Sequence, residues 1–459
     1  MPATIDHGSD AGRVKTVLPG PKGGFYFGSG VAFRRDQLGF YESCARQYGD
    51  LAATRMGPFR IVLIYHPDAI EELLVTRSRD FVKSPGVQLL RPLLGDGLLL
   101  SEGDTWLRQR RLVQPAFHRQ RVAGYGEAMV ALTEQHVARW SAGDVVEVHA
   151  EMMALTQAIV GKTLFDADVS GDAHEVGQAA KVLAEDFGDR LRSFRLIPYW
   201  MPTPGNLRAR RAVRRLDALV HRIIAARRTS GEDRGDLLSM LVQAQDADDG
   251  TRMTARQLRD EVMTLFLAGH ETTAVALSWT WYLLARHPDV EARLADELRD
   301  VLGGRTPSVA DLPRLKYADM VVTESMRLYP PAYGIGRQAA KATEIAGHAF
   351  ARGDIFVAPT WVVHRDRRWF EEPEAFRPER WAGDLARRLP RFAYFPFGGG
   401  PRQCIGNSFA QMEAVLLLAA IAQRFQLSLV PDQRITPTPY VTLRPEPGIR
   451  MRLTHRRPA

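Results

Sequence analysis

The stretch Phe397-Gly398-Gly399-Gly400-Pro401-Arg402-Gln403-Cys404-Ile405-Gly406 decides how this chain is read, because it sets one of only two cysteines behind a glycine-rich turn. An apolar run with helical spacing follows at Phe409, Met412, Val415, Leu416 and Leu417. A thiol at the mouth of a helix sits near unpaired backbone N–H groups and the positive end of the helix dipole, both of which favour the thiolate. Glycines take up backbone conformations closed to other residues, so a bulky group can approach such a turn closely. Arg402 places a fixed positive charge two residues before the cysteine. A lone cysteine in a Gly/Pro loop is otherwise most simply a small buried apolar residue. The spacing of its neighbours separates the two readings.

Composition narrows the class. With 459 residues, 45% of them hydrophobic, the chain can bury a large core. Cys44 and Cys404 are too few and too far apart for a disulfide framework or a cysteine-rich zinc site, and they fit a reducing compartment. Residues 1–20 are polar and lack the apolar centre of a signal peptide, and no run of about eighteen apolar residues marks a membrane span. A cytoplasmic protein is expected. The net charge of +8 comes mainly from arginine, much of it between Arg208 and Arg228. Val213, Leu216, Val220, Ile223 and Ile224 recur there at helical spacing, which predicts an amphipathic surface helix with a basic, solvated face. No aromatic interleaving points to nucleic acid.

The opening stretch resembles the haem-binding signature of the cytochrome P450 family, Phe-x-x-Gly-x-Arg-x-Cys-x-Gly, at all its fixed positions. The resemblance implies that Cys404 is the thiolate ligand of haem iron, with Phe397 packed beside the sulfur, Arg402 paired to a propionate and Gly406 closing the signature. An anionic sulfur pushes electron density onto iron and favours O–O cleavage. Other family motifs occur in the family's order. Trp106 and Arg110, four apart and on one helix face, match a propionate-binding Trp-x-x-x-Arg pair. Ala268-Gly269-His270-Glu271-Thr272-Thr273 interrupts the longest helical pattern, Leu258 to Arg286, and resembles the oxygen-activation motif. By that resemblance Thr272 hydrogen-bonds the dioxygen and Glu271 relays protons, while Gly269 weakens the helix where it needs to bend. Glu324 and Arg327 stand three apart on a helix over Asp319 to Tyr329, and the family joins such a pair to Arg380 in a buried structural triad. Arg337 falls where a third propionate-binding arginine is expected.

Between these motifs, Leu51 to Met56 and Arg60 to Tyr65 flank Gly57-Pro58 as a hairpin, and Phe81 to Leu100 reads as a leucine-rich loop. Leu99, Phe266, Ala268, Ala332, Ile335 and Tyr440 are expected on an apolar substrate pocket. The resemblance covers essentially the whole chain. It implies a mainly α fold with small β-sheets, the haem lying between the long central helix and the helix after Cys404. A single domain over residues 1–459 is expected, with 1–30 an extended lead-in. The implied activity is a haem-thiolate monooxygenase using haem b and O2 on a lipophilic substrate such as a fatty acid, terpenoid or steroid. Electrons are expected from a separate ferredoxin or flavodoxin with its NAD(P)H-dependent reductase, since no flavin or nicotinamide segment is visible. Two other readings stand beside it: a haem-thiolate isomerase, dehydratase or peroxygenase that does not use O2, and a non-catalytic haem-binding sensor or carrier.

Overall fold

Leu51–Met56 and Phe59–Ile64 pair antiparallel from Leu51 opposite Ile64 to Met56 opposite Phe59, with Gly57 at φ +57° in the two-residue turn. The computed structural model describes residues 17–24, 28–193, 197–243 and 252–456. The hairpin is the edge of a five-stranded sheet that continues through Ile355–Ala358, Ile335–Ala339 and Phe81–Lys83. Three smaller sheets, two of two strands and one of three, complete the β-structure among the described residues. The expected lead-in over 1–30 falls partly outside the described residues. Of the remainder, Gly24 bridges to Gly28, Gly28 bridges to Met56, and a helix starts at Gly30.

Everything else is organised by the helix Ala255–Arg286, whose 32 residues span about 48 Å at 1.5 Å each. It starts three residues earlier than the apolar pattern because Thr254 and Gln257 form a capping box: the Thr254 hydroxyl accepts from Gln257 N–H at 3.2 Å and the Gln257 side-chain Oε1 accepts from Thr254 N–H at 2.9 Å. Val262, Met263, Val275 and Leu277 are fully buried, so it crosses the interior. It packs against Val148–Phe165, Lys316–Leu328 and Asn407–Ala422. From Met412 to Ala422 the last of these is buried on every side, and that span is apolar apart from Glu413.

Three expectations are corrected here. The helix runs unbroken through Gly269, and a Cβ there would stand 3.0 Å from Val160 Cγ2; the glycine serves close helix packing. Phe81 to Leu100 is not a loop: it holds the strand Phe81–Lys83 and two short helices, Pro85–Gln88 and Arg91–Leu94, each with proline in its first turn, where the missing N–H has no partner to lose. The basic helix Pro204–Ser230 is amphipathic, but Arg227 is on its buried side, donating to Asp236 Oδ2 at 2.7 Å and to the Phe165 carbonyl at 3.1 Å.

Candidate functional site

Gly400 shapes the cysteine turn. It has φ +67°, and a Cβ on it would lie 1.9 Å from the Leu74 carbonyl oxygen, so only glycine fits against the Glu72–Thr76 helical turn. Cys404 N–H then donates to the Phe397 carbonyl at 2.9 Å, closing the loop just before the helix Asn407–Ala422. Burial pushes the Cys404 thiol up, against the pull of the Gly406 N–H and the Arg110 charge. Yet its surface is accessible, so the thiol lies deep in the protein and opens onto internal space.

Trp106 and Arg110 clasp this loop from one helix face. The Arg402 guanidinium lies 4.1 Å from the Trp106 ring centre, and Arg110 Nη1 donates to the Gln403 carbonyl at 3.0 Å. Arg402 also donates to the Ser101 carbonyl at 2.8 Å and pairs with Glu102. Arg337 is buried, and the loss of water together with the charge of Arg402 lowers it to about 10. Lys83, which was not expected here, is held well below its ordinary value by burial and by Arg337 and Arg402. Glu102 is the carboxylate that faces these cations, and Lys83 N–H donates to it at 2.7 Å. Two or more further negative charges would satisfy them. The donor set therefore fits haem: a thiol for the metal and a surplus of buried cations for two propionates.

On the central helix, Ala268 is exposed in the middle of a buried stretch, which marks the face turned to internal space. Thr272 is partly accessible four residues on, its hydroxyl donating to the Ala268 carbonyl at 2.8 Å. Glu271 is buried and bound elsewhere: Thr442 Oγ1 donates to Oε1 at 2.7 Å, Arg444 Nε does so at 3.0 Å, and Arg444 Nη2 lies 2.9 Å away. Burial alone would push this carboxyl up, but Arg444 and Thr442 hold it below its ordinary value. His149 beside them is pushed down to about 4 by burial and by Arg444, so it is neutral at pH 7. His270 is buried with Nδ1 2.8 Å from the Phe266 carbonyl.

Of the residues expected on the pocket, Leu99, Ile335 and Tyr440 are half-buried and Ala332 is exposed. Phe266 is instead 1% exposed and packs on Phe165 and His270, a core position two residues from Ala268 and so on the other side of the helix. Glu324, Arg327 and Arg380 meet: Arg327 Nε and Nη2 donate to the two Glu324 oxygens at 2.9 Å each, and Arg380 Nε donates at 2.8 Å.

One buried acid had no signal in the sequence. Glu413 is fully buried nine residues after Cys404, with Thr273 its polar neighbour, and burial pushes its carboxyl up to about 8. The unfolded value is about 4.3. Between the two, the folded chain keeps a proton that the unfolded chain has lost, so stability is fully present below about pH 4 and falls as pH rises towards 8. Glu413→Gln should therefore raise Tm over the parent at pH 8 and match it at pH 4. Thermal melts giving the same difference at both pH values would refute this.

Comparison with known proteins gives one family. A family model described as Cytochrome P450 matches residues 18–452. Cyclooctatin synthase of Streptomyces melanosporofaciens is 39% identical over 431 residues, covering 93% of this chain and 93% of that protein. Cyclooctat-9-en-7-ol 5-monooxygenase of the same organism is 37% identical over 405 residues, 88% of each. Pentalenene oxygenase of Streptomyces avermitilis is 34% identical over 424 residues, 91% of this chain and 93% of that protein. The crystal structure of the cytochrome P450DA heme domain superposes with a TM-score of 0.87 at 28% identity, covering 97% of this chain and 99% of that one.

Proposed function

Because this chain belongs to the cytochrome P450 family and is a haem-dependent P450 monooxygenase, we propose that it inserts one oxygen atom of O2 into a cyclic, mainly hydrocarbon substrate of terpenoid type. The observation that carries the site assignment is the deep yet accessible Cys404 thiol beside buried cations that outnumber their carboxylates. Of fatty acids, terpenoids and steroids, the terpenoid is favoured by relatives named for pentalenene and cyclooctat-9-en-7-ol, and by the apolar Leu99, Ala268 and Ile335.

Held by the Cys404 thiolate, haem b supplies activation of O2 and cleavage of its O–O bond. The protein's own groups do the rest. Arg110, Arg337 and Arg402 pair the propionates, Phe397 shields the sulfur, and Gly406 and the Trp106 ring shape the seat. Thr272 Oγ1 turns from the Ala268 carbonyl to donate a hydrogen bond into the reaction space. Glu271, kept ionised by Arg444, takes up a proton from solvent and passes it on when it swings clear of the pair. Glu324, Arg327 and Arg380 hold the packing behind the haem. P450 monooxygenases take electrons from a redox partner; here we propose a separate ferredoxin or flavodoxin with its NAD(P)H-dependent reductase, in the cytoplasm.

The test supplies reductase, NAD(P)H and isotopically labelled O2 with a panel of cyclic terpenes, expecting one labelled oxygen in the product. Unlabelled product would mean isomerase or peroxygenase chemistry, and no turnover despite electron delivery would favour a sensor or carrier. Thr272→Ala should keep the haem spectrum but divert most reducing equivalents to peroxide. Unchanged coupling between NAD(P)H consumed and product formed would remove Thr272 from the mechanism.

A further inference from the structure

The turn Gly95-Asp96-Gly97-Leu98 lies closer to the central helix than a side chain at either glycine would allow. A Cβ on Gly95, which has φ +59°, would stand 2.2 Å from the Asp260 carboxylate. One on Gly97 would stand 2.2 Å from Thr264 Oγ1 and 2.5 Å from the Asp260 carbonyl oxygen. Two consecutive carboxyl groups hold the seated backbone: Asp96 N–H donates to Asp260 Oδ2 at 3.0 Å, and Leu98 N–H donates to Glu261 Oε2 at 3.1 Å. Gln109, buried on the helix Gly103–Val113, adds a bond from Nε2 to the Asp96 carbonyl at 3.0 Å. The chain runs straight on through Leu99 and Leu100, so this seat sets where the leucine wall stands.

The two acids are not alike. Asp260 is compensated, with Arg259 Nη1 donating to its Oδ1 at 2.9 Å. Glu261 has no exposed surface, and its Oε1 has no hydrogen-bond partner among the described residues; nor has Thr264 Oγ1, one turn on. The cations of the surrounding elements are engaged elsewhere. Arg259 is held by Asp217 of Pro204–Ser230 at 2.7 Å and by the Leu93 carbonyl at 2.8 Å, and Arg91 pairs with Asp96. Leu237–Gln243 carries no ionisable side chain, and Lys162 on Val148–Phe165 faces outward to Asp166. Burial pushes the Glu261 carboxyl up to about 8, with the Leu98 N–H pulling against it and the charge of Asp260 adding to it, so the acid is mostly neutral at pH 7. Ionised, it would be a buried charge with one oxygen unbonded, and admitting water is what relieves that.

We propose that Glu261 is a positioning residue for the substrate pocket: as a neutral acid it keeps Gly95 to Leu98 seated on the central helix, and its ionisation lets that turn lift, taking the leucine wall with it. The sign follows from the two states. A solvated carboxyl titrates at about 4.3, and the seated one at about 8. The seat is therefore fully favoured below about pH 4 and loses hold as pH rises towards 8, the ratio of lifted to seated turn growing about tenfold per pH unit. The proposal rests on the pocket reading for the identity of the wall. Its test needs no substrate, so it stands or falls apart from the terpenoid assignment.

Amide hydrogen exchange of the haem-loaded full-length protein is followed at Asp96 and Leu98 at roughly pH 6 and pH 8, with each rate divided by the intrinsic rate at that pH. Protection of both amides in the parent should fall about tenfold or more over that interval. Glu261→Gln keeps an acceptor for Leu98 N–H but cannot ionise, so its protection should be the same at both pH values, at an unchanged haem spectrum. The amides of Leu416 and Leu417, enclosed in Asn407–Ala422, report opening of the whole fold and should stay more protected than the turn throughout. Flat protection in the parent overturns the proposal, and so does a Glu261→Gln variant that loses protection as the parent does. A fall that Leu416 and Leu417 share in full overturns it as well, because the fold as a whole would then be opening.

Discussion

Replacing Cys404 with serine is expected to abolish the thiolate-type spectrum of the reduced, carbon monoxide-bound protein and to abolish monooxygenase activity with it. Serine is nearly isosteric, and the loop does not depend on the side chain: it is closed by Cys404 N–H on the Phe397 carbonyl and by the fit of Gly400 against Leu74. The fold should survive, and the cations Arg110, Arg337, Arg402 and Lys83 should still retain haem through its propionates. What goes is the anionic sulfur, since a hydroxyl stays protonated at neutral pH and donates little electron density to iron. The measurement is paired: haem content and far-UV circular dichroism near the parent's, with the thiolate band absent. Persistence of that band in Cys404→Ser would remove Cys404 as the ligand.

The second large effect is on stability. Glu324 has no exposed surface, and five donors converge on its carboxylate: Arg327 through Nε and Nη2, Arg380 through Nε, Trp381 through Nε1 at 2.8 Å and Arg377 N–H at 3.1 Å. Arg327 uses its remaining reach on the carbonyls of His364 at 2.9 Å, Pro373 at 2.6 Å and Ala375 at 3.1 Å. Glu324→Gln leaves a fully buried guanidinium uncompensated and turns an amide N–H towards donors. Breaking a buried pair in this way costs about 3–5 kcal/mol. A drop in Tm of roughly 3–5 °C follows for a chain of this length. By contrast Arg388→Ala, which breaks the pair with Asp384 on a surface where both side chains are about two-thirds exposed, should cost less than about 1 kcal/mol. Equal Tm shifts for the two variants would refute the distinction.

Legibility followed the range of the interactions. The hairpin at Gly57-Pro58 and the long central helix could be read because turn chemistry and apolar periodicity are local, and the cysteine signature because five fixed positions lie within ten residues. Phe81 to Leu100 read as a loop because its helices, Pro85–Gln88 and Arg91–Leu94, are four residues each, too short for apolar periodicity to show. Gly269 misled because its reason, Val160, lies on another helix. Phe266 fell on the wrong side of its helix for a pocket residue, a matter of rotation that an all-round apolar stretch does not reveal. Arg227 looked like its exposed neighbours until Asp236 and Phe165 closed over it.

By itself the sequence determined the class of the protein: the mainly α fold, the thiol behind its glycine turn, and the helix with a polar interruption at Glu271 and Thr272. These depend on residue type and short spacing, and they identify a P450 monooxygenase before any coordinate is known. Only the tertiary structure decided which charges are buried together and what each one faces. Glu271 meets Thr442 and Arg444 from 171 and 173 residues away, and Lys83 joins Arg337 and Arg402 only because distant segments pack side by side. The protonation of Glu271 and of Glu413 is set by desolvation and by such partners, and both arise only when the chain has folded.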